Sequence, residues 1–417
     1  MKLRLSMLLM AGLLVLAATP YPIDGYEHTG IRRLERLRLI AAGELSGTPP
    51  LPGARKKWGD IELSRLDNPV GDLPVPDPAL QQKVSAVFAG LDRSYGFAIL
   101  DVTEGREPRY AAVQAATQYA PGSVGKMAIM AGLFAELARL YPEDVEARRA
   151  LLKSRKFTGD FWTVPNSHAV PLFNLQTRAY ASRAVYPTDE FNLYEWADHM
   201  ISASSNAAAS VVWKEAILMR AFGAAYPPSP ADEAAYWKNT PALDKQAVAL
   251  SVVNDPLREA GVGENDWRLG TMFTAGGQRV VPGSRSYGTA AGLLTFMLRL
   301  EEGEVVDPWS SLEMKRLLYQ TQRRIRYASA PDLATAAVYF KSGSQYRCRT
   351  EEGFACGKYM GNVDNYMNSV ATIETADGRV YVVALMSNVL RKNSAADHQA
   401  LATRFERIMA LPVGPEG

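Results

Sequence analysis

Apolar residues recur at intervals of three and four along residues 78–91, where Leu80, Val84, Val87, Phe88 and Leu91 mark one face of a helix. Residues 97–102 then read as a strand, Glu104-Gly105 as a turn and residues 109–113 as a second strand. Past the turn residues Pro121 and Gly122, helical spacing resumes at Met127, Met130, Phe134 and Leu137 and runs to about residue 140. Residues 191–201 form another predicted helix, with Leu193, Trp196, Ala197 and Met200 turned inward. A short polar loop, Ser202-Ala203-Ser204-Ser205-Asn206, separates it from a helix over residues 207–218. Residues 291–300 are helical, and 334–340 read as a strand. Residues 368–375 and 380–387 alternate on either side of Asp377-Gly378, a hairpin signature, and residues 395–411 close the chain as an amphipathic helix. Prolines at 227, 228, 230, 241, 256 and 282 make residues 221–286 the hardest stretch to read.

This order predicts an α+β fold in two lobes. An antiparallel sheet with the first and last helices comes from residues 77–115 and 326–412, and a helical lobe from residues 116–325. Ahead of it, residues 1–19 read as a secretory signal: Lys2 and Arg4, then an apolar run from Leu5 to Leu16, then the small residues Ala17-Ala18-Thr19. The run is short for a membrane span, so the membrane is a partner only if the signal is uncleaved. A periplasmic or secreted protein is expected. Residues 20–76 are rich in Pro and Gly, with helical periodicity only over 31–42, and read as an extension or linker that is partly ordered at best. Cys348 and Cys356 are spaced for a small disulfide loop, which suits an exported protein.

Composition excludes several classes. The 417 residues are 47% hydrophobic and 22% charged, as in soluble globular proteins. A net charge of +2 gives no electrostatic footprint for nucleic acid. The four histidines, His28, His168, His199 and His398, lack metal-ligand spacing, and two cysteines alone cannot build a zinc site. Gly276-Gly277 is an isolated pair, so no phosphate loop is read and neither a metal nor a cofactor is expected.

The candidate chemistry lies in three short motifs. Ser123 stands at a predicted helix start, with Lys126 one turn on along the same face. The dipole at such a position favours a developing alkoxide, and a buried amine is easier to deprotonate. Ser-x-x-Lys alone is common, and a serine there usually caps its helix. Ser204-Ser205-Asn206 follows between two helices, and Lys341-Ser342-Gly343 follows a strand. Together, in this order, the three resemble the motifs of class A β-lactamases and penicillin-binding proteins. Ser205 stands where that family has Asp, and Ser342 where it has Thr. The resemblance runs over about residues 77–412, with 141–185 and 221–285 unmatched.

The resemblance implies an active-site-serine amide hydrolase acting through an acyl-enzyme, with residue roles as follows. Ser123 is the nucleophile, Lys126 helps to deprotonate it, and Ser204 relays a proton to the leaving nitrogen. Asn206 holds the substrate amide or Lys126, and Lys341, Ser342 and Gly343 meet the substrate, with charge and hydroxyl aimed at a carboxylate. Ser344 shares the oxyanion site with the Ser123 amide. The expected partner is a small β-lactam or a cell-wall peptide. Class A enzymes also carry a loop glutamate that activates the hydrolytic water. Glu215, Glu233, Glu259 and Glu264 all lack its Glu-x-x-x-Asn context, so slow deacylation is expected unless Glu233, Glu259 or Glu264 folds into the site. The alternatives are a DD-peptidase acting on D-alanyl peptides and a penicillin-recognising fold kept only for binding.

Overall fold

The computed structural model describes residues 24–165, 168–321 and 324–412. The leader read over residues 1–19 lies outside them. The described chain opens with α1 (Gly25–Thr29), α2 (Arg32–Ala41) and α3 (Pro78–Phe88), then strands β1 (Gly96–Asp101) and β2 (Arg109–Val113). A mostly helical region follows, beginning with α4 (Lys126–Leu140), α5 (Val145–Ser154) and the short strands β3 (Lys156–Thr158), β4 (Ala169–Phe173), β5 (Tyr180–Ala184) and β6 (Glu190–Asn192). It continues through α6 (Leu193–Ile201), α7 (Asn206–Phe222), α8 (Pro230–Asn239), α9 (Ala242–Glu259), β7 (Trp267–Arg268) and α10 (Ala275–Val280), then β8 (Tyr287–Gly288), α11 (Ala290–Glu301) and α12 (Pro308–Tyr319). The chain returns to strands with β9 (Ala337–Arg347), β10 (Asp364–Glu374) and β11 (Val380–Asn388), and ends in α13 (Ala395–Met409).

The main sheet is antiparallel with strand order β2-β1-β11-β10-β9, so the first and last parts of the chain build one surface. Its alternating side chains supply two cores. Phe97, Ile99, Val383 and Leu385 face Leu80 and Val84 of α3 and Leu401 and Phe405 of α13, where the Phe97 and Phe405 rings stack at 4.2 Å. Ala98, Leu100, Val382 and Ala384 face the other way, into the core shared with α4 and α11. This is the α+β architecture expected from the sequence.

Several boundaries differ from the sequence reading. β9 runs on through Lys341-Ser342-Gly343 to Arg347, so the third motif lies within a strand and not at its end. Prolines did not keep 221–286 irregular. Pro230 sits in the first turn of α8, where a missing N–H costs nothing, and Pro256 lies near the end of α9. α9 packs closely on α4, where a Cβ added to Gly132 would come within 2.6 Å of the Val252 carbonyl oxygen.

The reading of residues 20–76 as a partly ordered linker is corrected over residues 24–76. Ile31, Leu34, Trp58 and Ile61 are buried, and the segment crosses both halves of the molecule. Arg32 and Arg33 pair with Glu195 and Asp198 of α6. Farther on, Tyr319 Oη donates to the Gly53 carbonyl at 2.9 Å, Ser64 binds Glu301 of α11, and Arg65 donates to the Val102 and Thr103 carbonyls. Past α2, proline and glycine fix the path of a packed strap whose buried residues, such as Trp58 and Ile61, are too sparse to show a period.

Candidate active site

Ser123 occupies a 3-10 turn, Gly122–Gly125, that feeds directly into α4. Ser123 is thus one turn ahead of the regular helix expected to begin there. The turn is pinned from behind: Asn368 of β10 donates through Nδ2 to the carbonyls of Ala120 at 2.9 Å and Pro121 at 3.0 Å. Glycines allow the turn and the edge of β9 to touch. Gly122 has φ +53°, and a Cβ there would lie 2.7 Å from the Ser344 amide nitrogen. A Cβ on Gly343 would overlap the Pro121 carbonyl and lie 3.0 Å from the Ser123 nitrogen. The same approach brings the amides of Ser123 and Ser344 to one corner of the cleft.

Lys126 is fully buried, yet its amine is surrounded by oxygens. Nζ donates to Ser123 Oγ at 3.0 Å, to the Ser204 carbonyl at 2.6 Å, to Ser204 Oγ at 3.4 Å and to Asn206 Oδ1 at 2.7 Å. Ser204 sits in the left-handed region, φ +60°, an uncommon conformation for a residue with a Cβ. That twist presents its carbonyl and hydroxyl to the same lysine. Ser205, at the family's Asp position, caps α7 by accepting from the Ala208 amide at 3.2 Å. From the opposite wall, Lys341 Nζ donates to Ser204 Oγ at 2.9 Å and to the Ser342 carbonyl at 3.0 Å. The three motifs, far apart in sequence, therefore meet as one hydrogen-bonded chain: Ser123, Lys126, Ser204, Lys341.

Ser123, Ser204 and Lys341 line a narrow cleft of about 40 Å³ together with Ser342, Gly343 and Ser344, with Lys126 buried behind it. Its lining includes side chains the sequence reading missed: His168, Arg326 and Tyr359. Arg326 is buried, has φ +57° and donates to the Gly343 carbonyl at 2.5 Å, with its guanidinium 5.2 Å from the Tyr359 ring. Burial lowers its pKa below the usual arginine value. None of the three sits in a motif, so only the folded chain reveals them. Cys348 and Cys356 are joined, with Cα atoms 6.3 Å apart, in the connection from β9 to β10 that also carries Tyr359.

No carboxylate lines this cleft among the described residues. Glu233 is held by Lys214 and Trp237, Glu264 pairs with Arg258 and Arg268, Glu215 is buried against Lys214, and Glu259 is exposed. The loop after α9 instead brings apolar groups to Lys126. The Phe273 ring centre lies 4.8 Å from its Nζ, and Leu269 packs where a Cβ on Gly125 would be 2.9 Å from its Cδ1. Asn254 fixes that loop through both the amide and the carbonyl of Leu269. No group of three or more His, Cys, Asp or Glu side chains suited to a metal occurs among the described residues.

A family model described as the Beta-lactamase enzyme family matches residues 242–404, a span that includes Lys341 but stops short of Ser123 and Ser204. No curated protein matches the chain by sequence. Among solved structures the chain is similar to PBP-A at 15% identity and a TM-score of 0.51, over 81% of this chain and 98% of that one. A PBP-A mutant described as an acyl-enzyme complex with penicillin G matches at 15% identity and a TM-score of 0.50, over 80% and 100% of the two chains. A class A β-lactamase representative from Bacteroides cellulosilyticus matches at 13% identity and a TM-score of 0.50, over 79% and 96%. This chain thus has the fold shared by class A β-lactamases and PBP-A, and its residues 242–404 match the Beta-lactamase enzyme family.

Proposed function

We propose that the protein is a serine hydrolase that opens β-lactams through an acyl-enzyme on Ser123 and releases the product slowly. The observation that carries this reading is the position of Lys126 Nζ, 3.0 Å from Ser123 Oγ and held by Ser204 and Asn206. In the proposed first step, Ser123 Oγ attacks the lactam carbonyl and the Lys126 amine accepts its proton. The oxyanion forms at the Ser123 and Ser344 amides. As the C–N bond breaks, the nitrogen takes a proton through Ser204 Oγ, which also touches Lys341. Lys341 and Ser342 receive the substrate carboxylate, the charge-assisted contact expected of that pair. The serine ends esterified and the lactam ring open.

Hydrolysis of the ester requires a base aimed at a water. The apolar Phe273 and Leu269 around Lys126 and Gly125, the ion pairs that hold Glu215, Glu233 and Glu264, and the exposure of Glu259 support a slow second step. A general base typically contributes ~10²–10⁴-fold, so its lack would leave the acyl-enzyme to accumulate. This favours a penicillin-binding behaviour over rapid antibiotic destruction, and D-alanyl peptides of the cell wall are the second substrate class that fits the same site. The Cys348–Cys356 bond supports an oxidising compartment outside the cytoplasm. Stopped-flow mixing with a chromogenic cephalosporin tests the reading. The expected trace is a burst of about one equivalent followed by a slow steady rate, the fingerprint of an accumulating acyl-enzyme. Fast linear turnover without a burst would mean that a competent base acts in the cleft.

A further inference from the structure

We infer that Arg33, from the strap that precedes the catalytic fold, is a positioning residue that sets the distance between the two walls of the Ser123 cleft. The inference rests on the acyl-transfer reading above. Arg33 is 4% exposed and Asp198 fully buried. Its guanidinium grips Asp198 with two hydrogen bonds of 2.6 Å, one from Nε and one from Nη2, and Nη2 also donates to the Gln320 carbonyl at 2.9 Å. One planar side chain thereby joins two segments that approach the cleft from opposite sides.

Asp198 lies on the last turn of α6. Its carbonyl accepts from the Ser202 amide at 2.7 Å, and the next carbonyl, of His199, accepts from the Ser205 amide at 3.0 Å. Those two bonds shape the loop that holds Ser204 in its left-handed conformation. On the other side, Gln320 precedes Thr321, whose hydroxyl donates to the Phe340 carbonyl at 2.7 Å, immediately before Lys341. The path from Arg33 therefore ends at Ser204 on one wall and at Lys341 on the other. These are the two residues whose side chains meet across the cleft at 2.9 Å. A bidentate arginine is well suited to such a role, because its fork fixes direction as well as distance. Ser205 replaces the family's Asp in the second motif and spends its hydroxyl on capping α7, so the loop takes its bracing from outside the motif.

The neighbouring arginine supplies the control. Arg32 pairs with Glu195 on the same helix and donates to the Glu190 carbonyl, both on the α6 side. Losing it removes a tie of the strap without breaking the bridge to Thr321 and β9.

The experiment compares acylation rates for a penicillin and for its methyl ester, measured by intact mass in the wild type and in Arg33→Met, Arg33→Lys, Asp198→Asn and Arg32→Ala. Rates are normalised to the folded fraction seen by circular dichroism. Misplacing Lys341 should cost the free carboxylate more than the ester. The preference for the acid over the ester is expected to fall by about tenfold in Arg33→Met and Asp198→Asn, the scale of coupling carried by a packed network. Arg33→Lys should lie between, and Arg32→Ala should keep the wild-type preference. General loosening of the fold would lower both rates together and leave the ratio unchanged. An unchanged ratio in folded Arg33→Met, or an equal shift in Arg32→Ala, overturns the inference. Should Arg33→Met not fold, Arg33→Lys decides: a wild-type ratio there overturns it. A wild type that forms no adduct overturns the acyl-transfer reading and this inference with it, whereas a labelled wild type with an insensitive ratio overturns this inference alone.

Discussion

At the scale of single residues, the proposed chemistry rests on two lysines that both bond the hydroxyl of Ser204. Lys126 touches both Ser123 and Ser204, whereas Lys341 reaches Ser204 and the open side of the cleft. Lys341→Ala should therefore cost turnover of carboxylate-bearing substrates about 1.5–3 kcal/mol, the worth of a hydrogen bond to a charged group, and cost neutral esters much less. Steady-state kinetics on the matched acid and ester measure this, and equal losses on both would remove the anion role. A second residue effect concerns stability. His398 is fully buried between Ser369 and Ser387, and burial pushes its pKa down to about 3. In the unfolded chain it takes a proton near its ordinary value of 6.5, so between pH 6.5 and 3 the unfolded state holds the extra proton. Its contribution to stability is complete above pH 6.5 and is lost as the pH falls through that window. His199, pushed down to about 4 by burial, acts in the same direction. Glu195, pushed up to about 7 by burial despite its Arg32 partner, acts in the opposite one: its contribution declines as the pH rises from about 4.5 to 7. Denaturant melts of wild type and His398→Gln between pH 6.5 and 4 should separate the terms. The variant should lose up to about 1.4 kcal/mol per pH unit of the acid dependence. Parallel profiles would contradict the buried neutral histidine.

At the scale of elements, α4 is the axis on which the site turns, since it starts beneath Ser123 and runs through the core. Every residue from Lys126 to Leu137 on it is buried. Its apolar period was therefore legible at Met127, Met130, Phe134 and Leu137, but the helix shows no polar face. Gly132 exposes the tight packing on α9. In an open helix Gly→Ala stabilises by about 1 kcal/mol. Here the added methyl would sit 2.6 Å from the Val252 backbone oxygen, so one helix must shift and overpacking should win, at about 1–3 kcal/mol. Gly132→Ala is expected to lower the thermal midpoint, and Gly132→Leu to lower it further. A raised midpoint for the alanine variant would show that α4 and α9 are not so closely packed. The strands of the sheet were legible because each alternates between two cores. The length of β9 was not, because Ser342, Gly343 and Ser344 carry no apolar alternation and are held there by pairing with Ser369, Asn368 and Met367 of β10.

At the scale of the whole molecule, the sequence gives away its site more readily than the frame around it. Ser-x-x-Lys, Ser-Ser-Asn and Lys-Ser-Gly each bring a recognisable chemical group, and the fold joins them through hydrogen bonds of 2.6–3.4 Å. Arg33, Arg326 and Tyr359 carry no such local pattern, because their partners lie far away in the chain. Past α2, the strap was hidden for a related reason: buried residues such as Trp58 and Ile61 stand isolated, and the ties of Ser64 to Glu301 and of Arg65 to Val102 reach distant elements, which leaves no period. Every other step of the proposed chemistry depends on Ser123 carrying the acyl group. Intact mass followed by peptide mapping after a short exposure to penicillin measures it directly. One equivalent of adduct should appear on the peptide containing Ser123, persist for many times the acylation half-time, and be absent in Ser123→Ala protein of unchanged fold. An adduct that survives in Ser123→Ala, or maps to any other residue, would contradict it.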